Sequence, residues 1–584
     1  MRRVARKWTL KPHDAARIER LAGALASPPI VAQLLLNRGV TEPAAARAFL
    51  DCPLVGLRAP HELPGAVEAA DRLWAAAQAR RRVTVYGDYD VDGITGAAIL
   101  LQALRLVGAQ ADFYVPNRLD EGYGLNTEAI EQLAAAGTNT IVTVDCGIGS
   151  HSEAERARAL GIELIVTDHH ELHGALPAAN VVVHPRLPGG PSEFETLSGS
   201  GVAFKVAWLL CQRASGSDKV GPRLREFLLD ALVLAALGLV ADVMPLVGEN
   251  RIYVRHGLHR LRTAPTTGLQ ALMSAAGISP EKPVRAEDIG YRLAPRLNAA
   301  GRLGCARLCV DLLTTPSDER ARELAAFLES QNTQRQQIER QILAEARDAL
   351  TAGGRVDDPA IVLAGDHWHP GVIGIVAGRL AELYGRPSLV IARNGDVAVG
   401  SGRSSAGIDL HAALSECADV LLTHGGHAAA AGFRLAPDRV GELRERFAAA
   451  VVRQAPHGPP PPSLVLDAEI PLSALTPGLV DHIAHLEPYG PANPRPRFLA
   501  ADLQIVGEPR KIGGGDRHLS FRVRQAGSTL RAVGWGLAER SDELASGGGR
   551  CCLAFTPRIN EWNGRRAVEL EVIDFQPQAT ASLS

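Results

Sequence analysis

Residues 81–108 read RRVTVYGDYDVDGITGAAILLQALRLVG, and the pattern of this stretch decides the fold class. RRVTVYG (81–87) has the β-branched composition of a short strand, and residues 93–108 have the apolar periodicity of a helix that Gly108 ends. The pattern recurs in strands at 111–115, 140–147, 162–168 and 180–185 and in helices at 127–137 and 152–161. Strands that alternate with helices in this way predict a parallel sheet with helices on both faces.

The flanking sequence predicts more helices, a second α/β domain and a β-barrel. Helices are expected at 198–212, 222–240 and 250–262. Residues 316–350 are typical of one long helix, capped by Thr315, whose polar middle suits a strut through solvent between two domains. Strands at 359–366 and 386–393 begin the second, smaller α/β domain. Short strands with glycine-rich turns follow a proline-rich stretch and indicate a small barrel.

These patterns predict six segments along the chain. They are an N-terminal helical segment that packs on the sheet domain (1–80), the sheet domain (81–315), a long connecting helix (316–354), the second α/β domain (355–454), a stiff proline-rich linker (455–462) and the barrel (463–584).

The composition excludes several classes of protein. Of the 584 residues, 46% are hydrophobic and 22% are charged, which is typical of globular proteins and excludes dominant disorder. No run of 18 uncharged apolar residues predicts a transmembrane helix, and the N-terminus lacks the apolar core of a secretory signal. Eight cysteines without a C-x-x-C pair indicate reduced thiols, so we expect a cytoplasmic protein without a membrane partner. The net charge of −2 still permits a local basic channel.

GDYDVDG (87–93) places Asp88, Asp90 and Asp92 directly after the first strand of the sheet. The mutual repulsion of these carboxylates favours a bound cation. A calcium loop is excluded, because its twelfth position is Ile99 instead of glutamate and the preceding element is a strand.

More acidic and imidazole groups are predicted at the same edge of the sheet. TIVTVDCG carries an aspartate at its strand end, IELIVTD is followed by two histidines, and ALVLAALGLVADV contains another aspartate. The carboxyl ends of parallel strands line one crevice, so these groups are expected to converge. Such a set suits two Mn²⁺ or Mg²⁺ ions that share a carboxylate and promote phosphoryl transfer, although single aspartates at strand ends are usually helix caps. The expected ligands are Asp88, Asp90, Asp145, His169 and Asp242.

The motifs GDYDVDG, VDCGI (144–148), TDHH (167–170) and ADVMPL (241–246), in this order, resemble those of the DHH phosphoesterases. Five more motifs resemble the branch of that family that degrades single-stranded DNA from the 5′ end: VPNRLDEGYGL (115–125), APRLNAAGRLG (294–304), HPGVIGIVAGRL (369–380), SGRSSAGIDLHAAL (401–414) and HGGHAAAAGF (424–433). The resemblance runs through nearly the whole chain. It implies an α/β fold with a parallel-sheet DHH domain, a long helix, a smaller DHH-associated domain and a C-terminal OB-fold barrel.

The resemblance also implies roles for individual residues. Asp145 is implied as the carboxylate that bridges the ions, and Asp168 and His170 as residues that orient the ligands or face the scissile phosphate. The residues implied at the catalytic centre are Asp88, Asp90, Asp145, His169, His170 and Asp242, all of them metal ligands except His170. The residues implied to face the strand are Arg118, Arg302, Ser401, Arg403 and His427, with surface ion pairing as the alternative for the arginines. Many family members have a histidine where this chain has Thr84, so one ion is expected to be held loosely or by another ligand.

The predicted barrel combines positive charge with aromatic residues. Residues 510–566 contain eleven Lys and Arg against five Asp and Glu, a net charge of +6. A positive groove with stacking aromatics is how OB-folds bind single strands. Phe521 and Phe555 are expected in the core, whereas Trp535 and Trp562 are expected to stack on bases.

Three functions are compatible with these features. The first, which we predict, is a single-stranded-DNA-specific 5′→3′ exonuclease of DNA repair and recombination. It would release 5′-mononucleotides by two-metal hydrolysis, as a monomer that works with a helicase and a single-strand-binding protein. The second is a DHH-type phosphodiesterase for short oligonucleotides or dinucleotides, but that class usually lacks a segment like residues 455–584. The third is a non-catalytic replication scaffold, which the intact set of metal ligands argues against.

Overall fold

The computed structural model describes residues 6–577, except 119, 120, 173, 405, 406, 457, 459–462, 547 and 563 and the side chains of 545, 546 and 562. Helices and strands are numbered in chain order. The first half of the chain contains β1 (Lys7–Leu10), α1 (Ala15–Leu25), α2 (Pro29–Leu36), α3 (Pro43–Asp51), α4 (Ala66–Gln78), β2 (Arg82–Gly87), α5 (Val91–Leu106), β3 (Gln110–Tyr114), α6 (Thr127–Ala135), β4 (Thr140–Val144), α7 (His151–Ala159), β5 (Glu163–Thr167), β6 (Val181–Val183), α8 (Gly199–Ser215), α9 (Pro222–Ala241), α10 (Gly248–Thr263) and α11 (Thr267–Ala275).

The second half continues this numbering. It contains α12 (Ala286–Asp288), a π-helical turn (Ile289–Leu293), α13 (Ala294–Arg302), α14 (Arg307–Thr314), α15 (Asp318–Ala352), β7 (Ile361–Asp366), α16 (Pro370–Tyr384), β8 (Ser388–Arg393), β9 (Ala398–Arg403), α17 (Leu410–Ser415), β10 (Thr423–Gly426), β11 (Ala430–Leu435), α18 (Val440–Gln454), β12 (Ser463–Leu466), β13 (Ala468–Glu469), α19 (Pro477–Ala484), β14 (Phe498–Ile512), β15 (His518–Gln525), β16 (Ser528–Gly534), α20 (Ser541–Ser546), β17 (Arg550–Trp562) and β18 (Arg565–Pro577).

The chain divides into two compact units. One consists of Arg58–Met244 and His256–Pro462, and the other of Met1–Leu57, Pro245–Arg255 and Ser463–Ser584. The first unit contains both α/β domains, and the second contains the barrel.

The DHH-like domain is built on a five-stranded, all-parallel sheet with the order β3-β2-β4-β5-β6. Helices α6 and α7 bury one face through Ile130, Ala154 and Ala157, while α5 contacts β2, β3 and β4. The predicted parallel α/β sheet is therefore confirmed. Helices α11, α13 and α14 were not predicted, because short helices between loops give a weak periodic signal.

Helix α15 has 35 residues, and its cap and surroundings differ from the prediction. Ser317 caps it, since its side chain accepts a hydrogen bond from Arg320 N, so the prediction of Thr315 as cap is wrong. The predicted solvent strut is also wrong. The helix packs on α11, α13 and α14 and then on α16, so that polar residues of its middle are buried.

The second α/β domain has a five-stranded sheet with the order β10-β11-β9-β8-β7. Strands β7 and β8 are parallel, whereas β8, β9, β11 and β10 pair antiparallel. Residues of α16, such as Val372 and Val376, belong to one buried cluster, and Leu443 and Phe447 of α18 belong to another. The sheet that contains β9, which ends in Arg403, therefore packs against both α16 and α18.

The C-terminal barrel closes through β14-β15-β16-β18-β17 and a further pairing of β14 with β17. This confirms the predicted OB-like barrel. Phe521 and Phe555 are buried in its core, as expected. Most of the linker predicted at 455–462 lies outside the described residues.

The N-terminal residues pack on the barrel unit, which corrects the predicted segment 1–80. Strand β1 pairs in parallel with β12, and Trp8 Nε1 donates to Asp574 Oδ2 at 3.0 Å. Leu34 and Leu35 of α2 are fully buried in the same apolar cluster as barrel residues such as Phe498. The end of this segment packs on the DHH-like domain, since α4 contacts α8 and β6 and the turn Pro60–Glu62 contacts α8. The apolar residues that pack together here are more than 400 residues apart in the sequence. Local sequence patterns do not report such contacts, which explains why the segment was predicted to pack on the sheet domain.

All eight cysteines are free thiols. Among the described residues, no helix combines the length and the apolar character needed to cross a membrane.

Deleting residues 455–584 alone is expected to unfold the N-terminal segment. Leu21, Leu34 and Leu35 would lose their barrel partners, and each buried leucine contributes about 1.5–3 kcal/mol. Limited proteolysis of a chain that ends at Gln454 should therefore cut rapidly within residues 6–57. The fragment 58–454 should be more soluble than that chain. Equal protection of residues 6–57 in the shortened and full chains would contradict this packing.

Candidate active site

The loop after β2 brings Asp88 and Asp90 to the carboxyl edge of the sheet. Asp90 caps α5, because its Oδ1 accepts hydrogen bonds from Asp92 N at 2.9 Å and Gly93 N at 3.1 Å. Gly93 is required for this turn, since a Cβ there would lie 2.6 Å from Asp88 N. The D-x-D spacing thus places one carboxylate at a helix N-terminus and the other beside it.

Asp145 follows β4 in a left-handed conformation, with φ of 65°. Its backbone N–H donates to Thr167 O at 3.0 Å, which ties it to the end of β5. Helix α8 approaches so closely that a Cβ on Gly199 would lie 2.6 Å from Asp145 Cβ. Burial, and then the neighbouring carboxylates Asp92 and Asp90, raise the pKa of Asp145 well above its usual value.

Asp168 anchors the turn that carries the two histidines after β5. Its Oδ1 accepts from His170 Nδ1 at 2.7 Å and from His169 N at 2.7 Å, and its Oδ2 accepts from Ile148 N at 2.9 Å. Burial would raise the pKa of Asp168, but the hydrogen bonds and the charge of His170 lower it to about 2. Burial would lower the pKa of His170, but Asp168 raises it to about 9. The buried Asp168 carboxylate therefore orients the turn.

His169 and Asp242 complete the cluster from two further elements. His169 Nε2 lies 3.0 Å from Asp145 Oδ1 and 3.6 Å from Asp242 Oδ2. Asp242 caps the C-terminus of α9 instead of ending a sheet strand, and 33% of its side chain is exposed. Burial, followed by the charges of Asp92 and Asp90, raises the pKa of Asp242 to about 8.

Asp92 supports this cluster, a role that was not predicted. It is 1% exposed, its Oδ1 accepts from Ser198 Oγ at 2.8 Å, and its Oδ2 accepts from Gly199 N at 2.6 Å. The N-terminus of α8 thus stabilises the Asp92 carboxylate. The sequence signal is S-G-S-G at 198–201, a serine cap followed by small residues that allow close approach.

The side chains fit a divalent metal site. Within the part of the chain that the structure describes, the buried oxygens Asp88 Oδ1 and Asp145 Oδ1 have no hydrogen-bond partner, although His169 Nε2 lies 3.0 Å from the latter. A cation would compensate such buried oxygens. Three groups have ligand atoms within 4.8 Å of one another: Asp88, Asp90 and Asp145; Asp92, His169 and Asp242; and Asp145, His169 and His170.

Thr84 does not replace the histidine found in many DHH phosphoesterases. Its hydroxyl is buried and lies 2.9 Å from Thr138 Oγ1, so the hydroxyl pair is satisfied within the sheet.

Three arginines form a positive cluster beside the carboxylates. Arg118 lies over the Tyr89 ring at 4.9 Å, Arg302 Nη1 donates to Gly371 O at 3.0 Å, and Arg403 Nη1 donates to Gly402 O at 2.7 Å. Burial, and then Arg118 and Arg403, lower the pKa of Arg302 to about 10. None of the three forms an ion pair with a carboxylate of the described residues. This cluster therefore favours an anionic ligand, which contradicts surface ion pairing as their role.

Known proteins match the chain along most of its length. The family models that match are the DHH family, N-terminal domain (82–236), the DHHA1 domain (357–453) and the RecJ OB domain (466–574). The single-stranded-DNA-specific exonuclease RecJ of Bacillus subtilis is 36% identical over 97% of this chain and 70% of its own length. RecJ of Escherichia coli is 33% identical over 94% of this chain and 96% of its own length.

The chain belongs to the RecJ family. The crystal structure of Thermus thermophilus RecJ in complex with Mn²⁺ has a TM-score of 0.83 and 34% identity, and the match covers 98% of this chain and 79% of that one. A second structure of the same RecJ, in complex with Mg²⁺, has a TM-score of 0.75 and 32% identity, and covers 98% of this chain and 78% of that one.

Two further predicted residues of this RecJ-family chain occupy different parts of the fold. His427 lies in the turn between β10 and β11, three residues before Ala430, which pairs with Arg403 of β9. Trp535 follows β16 in the barrel, is 48% exposed, and packs edge-on against His518 with ring centroids 4.7 Å apart. The side chain of Trp562 lies outside the described residues.

Several cations in the barrel of this RecJ-family chain form ion pairs with carboxylates of the chain. Arg558 and Arg531 both pair with the buried carboxylate of Glu569, and Arg540 pairs with Asp574. Within residues 510–566, the cations without an ion pair to the described residues are Arg510, Lys511, Arg517, Arg522, Arg524 and Arg565.

Proposed function

We propose that this chain is a metal-dependent, single-stranded-DNA-specific exonuclease that acts in the 5′→3′ direction and releases 5′-mononucleotides. The observation that carries the proposal is that two buried carboxylate oxygens without a hydrogen-bond partner among the described residues lie near three arginines that form no ion pair with those residues. Membership of the RecJ family, whose named members are single-stranded-DNA-specific exonucleases, supports the same activity.

The carboxylates and His169 are proposed to hold two divalent ions, Mn²⁺ or Mg²⁺. Asp88 and Asp90 would bind one ion, His169 and Asp242 the other, and Asp145 both, since it belongs to a ligand group with each histidine and with the first two aspartates. When bound, two such ions lower the pKa of a water and neutralise charge on phosphorus.

The remaining polar residues are proposed to orient the strand. Arg118 and Arg302 suit bidentate contacts with phosphate oxygens. His170, which Asp168 fixes through its Nδ1, would donate toward the scissile phosphate. Ser401 and Arg403 would bind the terminal 5′ phosphate, with His427 in the neighbouring turn.

The barrel is proposed to bind the incoming single strand. Its unpaired cations and the half-exposed Trp535 provide charge and a stacking surface. We also infer that the chain is a cytoplasmic monomer that acts in DNA repair and recombination beside a helicase and a single-strand-binding protein. Its eight free thiols support a reducing compartment.

Product analysis on end-labelled strands tests the proposal. With Mn²⁺ or Mg²⁺ supplied, a 5′-labelled single strand should yield labelled mononucleotide at once, whereas a 3′-labelled strand should shorten progressively. Chelation of the metal should abolish both, and a blunt duplex should resist. Equal turnover of dinucleotides and long strands would instead favour a small-substrate phosphodiesterase.

A further inference from the structure

Helix α15 carries three buried polar residues on one face. Asn332 is 2% exposed, and Arg335 and Glu339 are each 9% exposed. Arg335 Nη2 donates to Asn332 Oδ1 at 2.6 Å, and its Nη1 donates to Glu339 Oε2 at 2.7 Å. Charged residues are rarely buried to this extent unless they are paired or bind a ligand.

Helices α13 and α16 both pack on α15 and connect Arg335 with the arginine cluster. Arg296 of α13 forms an ion pair with Glu329 of α15. Arg302 Nη1 donates to Gly371 O of α16 at 3.0 Å, and a Cβ on Gly374 of α16 would lie 3.3 Å from Arg403 Nη2. Arg379 of the same helix contacts Glu339, the carboxylate that accepts from Arg335. The proximity is also electrostatic, because Arg335 contributes to the lowering of the pKa of Arg302, after burial, Arg118 and Arg403.

The charges around Arg335 do not cancel. Glu339 faces Arg335, but it also accepts from Arg379 Nε of α16 at 3.4 Å, so one carboxylate serves two guanidiniums. Arg296 and Arg379 both lower the pKa of Arg335, although burial is the largest cause and Glu339 opposes it. A guanidinium has five N–H donors, and two of those of Arg335 are used within the described residues. Donors and net positive charge therefore remain for a ligand.

We propose that Arg335, held by Asn332 and Glu339, is a binding residue for a backbone phosphate next to the one that Arg302 contacts. The inference rests on the proposed function, because it extends the proposed phosphate-binding surface from the three arginines onto α15. The ligand is one internal phosphodiester of a single strand.

The test is a binding cycle in an Asp145→Asn background, in which cleavage is blocked. Strands that are identical except for one uncharged methylphosphonate linkage, moved stepwise from the 5′ end, are bound with and without Arg335→Gln. On the unmodified strand, Arg335→Gln should weaken binding about ten- to a hundredfold, the worth of a charge-assisted hydrogen bond. The dependence of binding on salt should become shallower by about 0.7 in the logarithmic slope, the value for one phosphate of a single strand.

In the protein with Arg335 intact, a methylphosphonate at the linkage that Arg335 contacts should weaken binding. In Arg335→Gln, that linkage should no longer weaken binding, while methylphosphonates at the other contacted linkages should weaken it as before. Arg320→Gln is the matched control, because Arg320 lies on the same helix in an exposed ion pair with Glu323 and should leave binding unchanged. Arg335→Lys, which keeps the charge, should retain part of the affinity if the glutamine variant unfolds.

A uniform loss of affinity for every modified strand would overturn the inference and assign Arg335 a structural role. Unchanged binding by a folded Arg335→Gln would also overturn it. Both results are distinct from failure of the proposed function, which would appear as no cleavage of end-labelled strands when Asp145 and Arg335 are intact.

Discussion

Asp145→Asn is expected to lower turnover by about a thousandfold or more. The substitution removes the charge shared by two ligand groups, and several kcal/mol of metal-mediated transition-state stabilisation corresponds to a factor of ten for each 1.4 kcal/mol. Asparagine tolerates the left-handed backbone of this position, so the loop should keep its conformation. The measurement is kcat on end-labelled single strands with saturating Mn²⁺.

The stability of the same variant gives a second readout. The pKa of Asp145 is raised in the folded chain, so its ionised form destabilises the metal-free protein above the unfolded pKa of about 4. The neutral amide removes that cost, and metal-free Asp145→Asn should melt at or above the temperature of the metal-free native chain at pH 7. Single-strand affinity should be largely retained.

Asp112→Asn is the matched control for Asp145→Asn. Asp112 lies in β3 of the same sheet, is half-exposed and is 3.7 Å from Arg82. Its substitution should leave turnover within about twofold, since exposed ion pairs contribute little. More than a few per cent of native activity in Asp145→Asn would exclude Asp145 as the bridging ligand.

Arg403→Ala is expected to weaken recognition of 5′-phosphorylated strands by about ten- to a hundredfold. Arg403 ends β9 and forms no ion pair with a carboxylate of the described residues, and burial, followed by repulsion from Arg118, lowers its pKa. A terminal phosphate carries more charge than an internal one and offers free oxygens for a bidentate contact. Strands that differ only in the 5′ phosphate separate this role from general binding, because the loss should be much smaller on 5′-hydroxyl ends.

Arg393→Ala provides the control for Arg403→Ala, because Arg393 lies on the adjacent strand β8 in an exposed ion pair with Asp366. It should affect both kinds of end little. An equal loss on phosphorylated and hydroxyl ends in Arg403→Ala would mean that Arg403 binds the strand generally or supports the fold.

The sequence predicted what short-range patterns determine. The β-branched apolar runs of the strands and the helices between them were sufficient to predict the parallel sheet, because strands that alternate with helices form βαβ units. The convergence of Asp88, Asp145 and His169 followed from sheet geometry, since the carboxyl ends of parallel strands share an edge.

Long-range packing was beyond those patterns. The polar middle of α15 resembles a solvated helix, yet Asn332 and Arg335 are buried because α13 and α16 cover them. The D-x-D-x-D spacing groups Asp92 with Asp88 and Asp90, but its carboxylate accepts hydrogen bonds from the N-terminus of α8, more than 100 residues away in the sequence. Such partners depend on tertiary contacts, which local sequence patterns do not predict.

The pairing of β1 with β12 has a consequence for the synthesis of the chain. About 400 residues separate the N-terminal helices from the barrel strands that cover them. At about 5–20 residues per second, roughly 20–80 seconds pass on the ribosome before those strands emerge. The apolar face of α1 and α2 remains uncovered by the barrel for that time. A nascent chain of this protein therefore exposes a binding surface for chaperones during translation.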